Sequence, residues 1–147
     1  MSASTAELIR HHPHRADLIR AWDDDFVGMF EEIPGAAEVV GDLATAGIAM
    51  YLITNLPTGI LPKLLARFPF LRLLSGAVVS ADEGVAKPSP EIYQIFCDRF
   101  GVVPAACVYA DDREANVSAA SLLGFTTVQF RDVDGLRRSL SRYRLLG

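Results

Sequence analysis

The chain has 147 residues, of which 50% are hydrophobic and 22% are charged, and its formal net charge is −4. A soluble chain of this length buries roughly two-thirds of its surface, which is enough for one domain with a substantial core. The mild acidity, and the lack of a basic tract with interleaved aromatic residues, argue against a nucleic-acid partner.

Two further features bear on where the protein works. No apolar run approaches the ~20 residues of a membrane span, and the first residues lack the basic and apolar parts of a signal peptide. Cys97 and Cys107 each stand within an apolar pattern, which predicts buried free thiols in a reducing compartment. We therefore expect a cytoplasmic protein with no membrane partner.

Residues 1–32 have a helical pattern. Apolar residues from Leu8 to Phe30 recur at helical spacing, and Pro13 separates a short first helix from a longer second one. Apolar residues also bracket Asp23–Asp25 at a helical repeat, so we interpret these three acids as a solvated helix face. This part of the chain predicts a helical segment without strands.

From residue 33 onward, the pattern alternates between helices and short apolar strands. The predicted strands cover residues 48–53, 77–80, 107–110 and 126–130. The predicted helices cover residues 36–47, 61–68, 90–100 and 116–124, followed by a last helix that contains Leu136 and Leu140. Ser89 and Pro90 are typical of the start of the third of these helices. The alternation predicts an α/β core over residues 33–147, with a Rossmann-like, doubly wound parallel sheet in a three-layer α/β/α arrangement.

Three strands of this predicted sheet end in polar side chains. Thr54 follows the first strand, Lys87 stands in the loop after the second, and Asp111 and Asp112 follow the third. Because the carboxyl ends of parallel strands meet at one edge of the sheet, we expect these groups to converge. A hydroxyl and an ammonium bind phosphate oxygens, and carboxylates bind Mg²⁺, so this set can hold a phosphoryl group beside the cation.

Each of these residues also has an ordinary structural explanation. A threonine at a strand end is usually a turn residue, and a lysine in a loop is usually solvated. The pair of Asp111 and Asp112 could serve only as favourable charge at a helix N-terminus, worth ~0.3–1 kcal/mol. Their occurrence together, each at a strand end, favours a binding site.

Three stretches of the chain resemble the motifs of a known superfamily. Ile53-Thr54-Asn55, then Lys87-Pro88-Ser89-Pro90-Glu91-Ile92-Tyr93, then Tyr109-Ala110-Asp111-Asp112 with Asn116-Val117-Ser118-Ala119-Ala120 are similar to motifs two, three and four of the haloacid dehalogenase (HAD) superfamily, in the same order. The resemblance covers residues 33–147. Residues 7–32 resemble the end of the helical cap that these enzymes insert after their first strand. The sugar-phosphatase-like subgroup is the most similar.

The resemblance implies a Mg²⁺-dependent phosphatase that acts on a small phosphorylated metabolite. The residues that would bind the phosphoryl group are Thr54, Asn55 and Lys87. Thr54 and Lys87 would be catalytic, and Lys87 would also neutralise the nucleophile. Asp111 and Asp112 would hold Mg²⁺, and Asn116 would support their loop. Because the true 2-haloacid dehalogenases need no metal and differ at the fourth motif, phosphate chemistry fits better than carbon–halogen cleavage.

The chain lacks the first motif of the superfamily, a strand ending in Asp-x-Asp that supplies the attacking carboxylate. Asp23–Asp25 lie in a helical pattern, and Asp132 and Asp134 stand where the closing helix begins. A lysine and a metal do not replace a nucleophile, so we expect this chain alone to be inactive. Three explanations remain open: a fragment of a longer protein, a degenerate product, or a chain completed by a strand from another chain.

Two other functions use the same residue types. A non-catalytic pseudoenzyme would bind Mg²⁺ and a phosphorylated ligand, or a protein partner, without turnover. A response-regulator receiver domain also combines an acidic pair, a threonine and a lysine, but there the acidic pair comes first. In this chain the order is Thr54, Lys87, Asp111 and Asp112, which argues against a receiver domain.

The missing strand also has a structural consequence. In the superfamily it lies mid-sheet, between the strand that ends at Thr54 and the one that ends at Asp112. Its absence either leaves two unpaired strand edges or forces those strands to pair directly. We therefore expect the chain to be poorly stable, or to self-associate through unpaired strands.

Overall fold

The structure is a computed structural model that describes residues 3–147, apart from the side chains of Ala3, Ser4, Asp23 and Asp24. The solvated face predicted for Asp23 and Asp24 therefore lies outside the described residues. In the described part of the chain, no helix is both long enough and apolar enough to cross a membrane.

The N-terminal segment is helical, as predicted. Helix α1 spans Ala3–His11 and helix α2 spans Ala16–Gly28, with a single 3₁₀ turn at Pro13–Arg15 between them. The aromatic rings of Phe26 and Phe30 pack against a buried cluster of the core. The end of α2 thus attaches the N-terminal helices to the rest of the chain.

The remaining elements alternate between helices and strands. The strands are β1 (Tyr51–Thr54), β2 (Gly76–Val79), β3 (Val108–Asp111) and β4 (Thr126–Gln129). The helices are α3 (Ala36–Thr45), α4 (Ile60–Arg67), α5 (Ser80–Glu83), α6 (Pro90–Phe100), α7 (Glu114–Leu122) and α8 (Val133–Arg142). Every predicted helix and strand of the core occurs in the predicted order.

The four strands are parallel, as predicted, but they form two separate pairs. β1 pairs with β2, with Tyr51 opposite Gly76, and β3 pairs with β4, with Val108 opposite Thr126. Among the described residues, no backbone pairing joins one pair to the other. The predicted continuous sheet is therefore divided. Within the residues that the structure describes, the two strands beside the missing one therefore have unpaired edges and do not pair directly.

Helices hold the two strand pairs together. The Phe96 ring of α6 lies 5.5 Å from Tyr51 of β1, and the Tyr93 ring of α6 lies 5.4 Å from Tyr109 of β3. Helix α6 therefore packs on both pairs. A second buried cluster joins α3 to α8 and consists of Val39, Leu43 and Leu140.

Two differences from the predicted bounds have local causes. β1 begins at Tyr51 instead of residue 48, because Ile48 and Met50 pack against the cluster between α3 and α8. The short helix α5 replaces the predicted end of a strand and the start of a loop. Gly84 ends α5 at φ 70°, a left-handed conformation that glycine adopts at little cost.

Helix α6 begins as predicted, with Ser89 as N-cap and Pro90 as its first residue. The Ser89 hydroxyl donates a hydrogen bond to the carboxylate of Glu91 instead of accepting one from a backbone N–H. Cys97 of α6 is buried and Cys107 is half-buried, and both are free thiols. Burial raises the pKa of each thiol, so both favour the neutral form.

Candidate active site

Asp111, the last residue of β3, accepts four hydrogen bonds. Its Oδ2 accepts from Lys87 Nζ at 2.7 Å and from the Tyr109 hydroxyl at 2.7 Å. Its Oδ1 accepts from the backbone N–H of Arg113 and from Asn116 Nδ2, both at 2.9 Å. The side chain is only 6% exposed, so a buried carboxylate stands at the centre of the site and has donors on both oxygens.

The protonation state of Asp111 follows from these donors. Burial alone would raise its pKa, but the hydrogen bonds from Lys87, Arg113, Tyr109 and Asn116 outweigh burial and lower the pKa to about 2. The pKa of Tyr109 shifts in the opposite direction. Burial and the hydrogen bond to the Asp111 carboxylate both raise it. At neutral pH the site therefore contains an ionised Asp111 and a neutral Tyr109.

The loop after α5 carries Lys87 to this carboxylate. Asn55, directly after β1, fixes the main chain of Lys87 with two hydrogen bonds: Lys87 N–H donates to Asn55 Oδ1 at 2.9 Å, and Asn55 Nδ2 donates to the Lys87 carbonyl at 3.0 Å. The Lys87 side chain, 13% exposed, then forms its ion pair with Asp111. Asn55 and Lys87 thus connect the end of β1 to the end of β3.

Thr54 and Asp112 complete the set that the sequence predicts at this edge. Thr54 is the last residue of β1 and is half-buried, whereas Asp112 follows β3 and is exposed. Neither the Thr54 hydroxyl nor the Asp112 carboxylate forms a hydrogen bond within the described part of the chain. Both groups remain open for a ligand beside the pair of Lys87 and Asp111.

A match to a protein-family model identifies the family of this chain. The model for haloacid dehalogenase-like hydrolases matches residues 6–124. The chain belongs to this HAD family. The match begins in α1 and ends after α7, so it includes both the N-terminal helices and the residues of the site.

Curated relatives of the HAD-like chain include both dehalogenases and phosphatases. (S)-2-haloacid dehalogenase 4A of Burkholderia cepacia is 29% identical over 72% of this chain and 47% of its own length. Flavin mononucleotide hydrolase 1 of Arabidopsis thaliana is 30% identical over 76% and 45%. Phosphoglycolate phosphatase of Salmonella typhimurium is 27% identical over 76% and 46%. The chain spans about half the length of the curated relatives that it matches.

Solved structures agree with the HAD fold. A dehalogenase with an intermediate complex superposes with a TM-score of 0.63 at 31% identity, over 67% of this chain and 43% of that one. A HAD family enzyme of Bacteroides thetaiotaomicron, in complex with magnesium and inorganic phosphate, superposes with a TM-score of 0.66 at 22% identity, over 78% and 61%. These matches confirm the predicted α/β, Rossmann-like core.

Two residues of the HAD-like site have roles that the sequence did not predict. Tyr109 donates to Asp111, and Tyr93 of α6 is fully buried and donates its hydroxyl to the carbonyl of Asn116 at 3.1 Å. Tyr109 stands two residues before Asp111, on the same face of β3, and that spacing could have predicted the contact. Tyr93 comes from a different element, and no spacing along the chain predicts its role.

The acidic residues at the start of α8, Asp132 and Asp134, include one with a structural role. Asp132 is the N-cap of α8, and its Oδ1 accepts from the backbone N–H of Gly135 at 2.6 Å. Asp132 and Asp134 line a cavity of about 520 Å³ between the starts of α3 and α8. Thr54, Lys87 and Asp111 do not line this cavity.

The carboxylates of the site fit Mg²⁺ only in part. Asp111 has donors on both oxygens, which leaves Asp112 as the open carboxylate. Within the described residues, no group of three or more His, Cys, Asp or Glu side chains comes together as a metal-binding cluster. Mg²⁺ is commonly held by one or two carboxylates together with water and substrate phosphate oxygens. Asp112 suits one position of such a shell, and other donors must supply the rest.

Proposed function

We propose that this HAD-like chain carries the phosphate- and metal-binding part of a phosphatase that hydrolyses phosphate esters of small metabolites. The ion pair of Lys87 with Asp111 carries the proposal. It brings an ammonium, on a residue whose main chain Asn55 fixes, to the edge where the Thr54 hydroxyl and the Asp112 carboxylate are both open. An ammonium and a hydroxyl bind phosphate oxygens.

Each residue of the site has a role in this proposal. Thr54 and Lys87 bind two oxygens of the phosphoryl group, and Lys87 offsets the charge that develops there. The amide after Thr54, that of Asn55, offers a further N–H donor. Asp112 binds Mg²⁺ directly, since its carboxylate is open, and the cation would neutralise phosphate charge. Asp111 orients Lys87, and Asn116 holds Asp111.

Hydrolysis also requires an attacking group. Asp111 has its lone pairs engaged by four donors, and Asp112 is assigned to the cation, so neither carboxylate is free to attack. We therefore expect the 147-residue chain to bind phosphate with Mg²⁺ but not to turn over a phosphate ester. A nucleophile from polypeptide outside the described residues would complete the reaction.

Binding of inorganic phosphate in the presence of Mg²⁺ tests this proposal, measured by isothermal titration calorimetry. We expect Lys87→Ala and Asp112→Asn to weaken binding at least about tenfold, since each loses a charged contact worth ~1.5–3 kcal/mol. Asp82→Asn is the matched control for Asp112→Asn, because Asp82 is also exposed and loses the same charge. Equal affinity in Asp112→Asn and Asp82→Asn would contradict the metal role of Asp112.

Turnover assays separate the remaining functions. The purified chain is incubated with Mg²⁺ and either p-nitrophenyl phosphate or 2-chloropropionate. The proposal expects phosphate binding without release of p-nitrophenol. Release of p-nitrophenol that Asp112→Asn abolishes would refute the missing nucleophile, and release of chloride would favour the dehalogenase chemistry of a relative. A failure to bind phosphate at all would refute both the phosphatase and the phosphate-binding pseudoenzyme.

A further inference from the structure

The donors around Asp111 leave its carboxylate no free position. An ionised carboxylate offers about four lone pairs, two on each oxygen. Oδ1 accepts from the backbone N–H of Arg113 and from Asn116 Nδ2. Oδ2 accepts from Lys87 Nζ and from the Tyr109 hydroxyl. Donors and lone pairs are therefore matched, and each donor has one place on the carboxylate.

Tyr109 and Lys87 share one oxygen of this carboxylate. The Tyr109 hydroxyl and Lys87 Nζ each lie 2.7 Å from Oδ2 of Asp111. Because the hydroxyl occupies one lone pair of that oxygen, the ammonium has only the other. If the hydroxyl were absent, the ammonium would have two places on Oδ2, and its direction would no longer be fixed.

The main chain of Lys87 cannot supply this direction. Asn55 holds the N–H and the carbonyl of Lys87, but the ammonium stands at the end of a flexible four-carbon stem. The last contact of the stem is the hydrogen bond to Asp111. The geometry at Oδ2 therefore decides where the other N–H donors of the ammonium are directed.

The ring of Tyr109 is itself held in place by packing. Its centroid lies 5.4 Å from that of Tyr93 and 6.2 Å from that of Phe125, and both of these residues are buried. Tyr109 stands two residues before Asp111 on β3, so the two side chains lie on the same face of the strand. A hydroxyl on a packed ring is a fixed donor, which suits it to fix a flexible one.

We propose that Tyr109 is a positioning residue for phosphate binding: it occupies one lone pair of Asp111 Oδ2 and thereby directs the free donors of the Lys87 ammonium at the phosphoryl group. A lysine ammonium has three N–H donors, and Asp111 is the one acceptor of Lys87 Nζ within the described residues. The inference rests on the proposed function. It adds to that function a residue that acts through Asp111 without touching the ligand.

A variant that loses only the hydroxyl tests the proposal. In Tyr109→Phe, we expect the affinity for inorganic phosphate in the presence of Mg²⁺ to fall roughly three- to tenfold, as for the loss of one hydrogen bond. Isothermal titration calorimetry of the 147-residue chain measures the affinity. Gly76→Ala is the control for lost stability, because an added Cβ would lie 2.4 Å from the Phe100 ring but touches no donor of Asp111. Its affinity should equal that of the unaltered chain.

Two unnatural side chains in place of Tyr109 separate the donor from the ring. With p-aminophenylalanine, an N–H donor stands where the hydroxyl was, and phosphate binding should return to that of the unaltered chain. With p-methylphenylalanine, the side chain has a similar size but no donor, and binding should stay as weak as in Tyr109→Phe. A structural role of the ring alone would not distinguish these two side chains.

The ammonium gives a second readout that needs no phosphate. The chain has two lysines, Lys63 and Lys87, so a proton–nitrogen correlation spectrum of the lysine ammonium groups contains two signals, and Lys63→Arg assigns them. Hydrogen-bonded N–H groups with little exposure exchange slowly with water, and the Lys87 side chain is 13% exposed. In Tyr109→Phe, we expect proton exchange at Lys87 to speed up at least about twofold, with Lys63 unchanged.

Three results would overturn the proposal. One is an equal affinity for phosphate in Tyr109→Phe and in the unaltered chain. Another is a loss of affinity that p-aminophenylalanine does not restore. The third is an unchanged rate of proton exchange at Lys87. If the unaltered chain binds no phosphate, the proposed function fails, and the exchange rate at Lys87 still decides whether Tyr109 fixes the ammonium.

Discussion

Asp111 can remain ionised inside the protein because four donors replace the water it has lost. A buried carboxylate without partners would take up a proton, since burial disfavours its charged form. Here Lys87 and Tyr109 serve one oxygen, and Arg113 and Asn116 serve the other. Asp111 therefore orients its neighbours, while the adjacent and exposed Asp112 is the acid available to a cation.

The pH dependence of stability tests this view of Asp111. Its pKa falls from 3.8 to about 2 on folding. A depressed pKa stabilises the folded state above the unfolded value, and the stabilisation is lost as the pH falls through the folded value. In chain free of divalent cations, we expect Asp111 to contribute on the order of 2 kcal/mol above about pH 4, lost between about pH 4 and 2. Urea denaturation across this range measures it.

Two tyrosine variants test how much the hydrogen bond from Tyr109 contributes to the stabilisation by Asp111. Tyr109→Phe removes one of the four donors, so the pKa of Asp111 should rise and the free energy of unfolding at neutral pH should fall by roughly 1–2 kcal/mol. Tyr51→Phe is the control, because the Tyr51 hydroxyl has no hydrogen-bond partner in the described part of the chain. Equal losses in the two variants would mean that the loss does not come from the hydrogen bond to Asp111.

At the scale of elements, β2 begins at a glycine because α6 leaves no room for a side chain. A Cβ on Gly76 would lie 2.4 and 2.6 Å from two atoms of the Phe100 ring. That ring is held by Tyr51, whose centroid lies 4.5 Å away, and by Phe96 at 5.5 Å. The start of β2 and the end of α6 are therefore fitted to each other.

The prediction from this contact is that Gly76→Ala destabilises the protein by about 1–3 kcal/mol, as overpacking usually does. Gly41→Ala is the matched control, since Gly41 lies inside α3 with no neighbouring atom within 4 Å of an added Cβ. Alanine there should stabilise the helix by roughly 0.5–1 kcal/mol. Thermal unfolding of the two variants measures both the expected loss and the expected gain of stability. A Gly76→Ala variant as stable as the original chain would show that Phe100 can move away.

The sequence predicts these elements well because their patterns are local. The apolar runs before Thr54 and Asp111, the glycines after helices, and Pro90 at a helix start each depend on near neighbours. The bounds of β1 and the occurrence of α5 depend on packing and on strand pairing, which no local pattern encodes. The site shows the same division: the meeting of Lys87 with Asp111 could be predicted, but the contacts of Asn55 and Tyr93 join distant elements.

At the scale of the whole molecule, the divided sheet is the main departure from a Rossmann-like core. A helix connects the two strands of each pair along the chain: α4 lies between β1 and β2, and α7 lies between β3 and β4. In the described part of the chain, α6 and the contact of Lys87 with Asp111 join the two pairs. A continuous parallel sheet would depend on a strand between them, and open edges of this kind favour association.

We therefore predict that the chain self-associates through its unpaired strand edges, measured by sedimentation velocity over a range of concentrations. Ala110→Lys should reduce association, because a charged side chain on an open edge opposes strand pairing. Ala105→Lys adds the same charge at an exposed site in the turn before β3 and is the control. A monomer with a sharp thermal transition at every concentration would contradict the prediction.

The two hydrogen bonds from Asn55 to Lys87 have a consequence for the chemical ageing of the protein. Deamidation would convert Asn55 to aspartate and replace the Nδ2 donor, now 3.0 Å from the Lys87 carbonyl, with a second acceptor. Two oxygens would then repel each other where one amide now bridges β1 to the lysine loop. This small chemical change, without cleavage of the chain, would loosen the main chain of Lys87 in stored protein and so weaken the support of the ammonium.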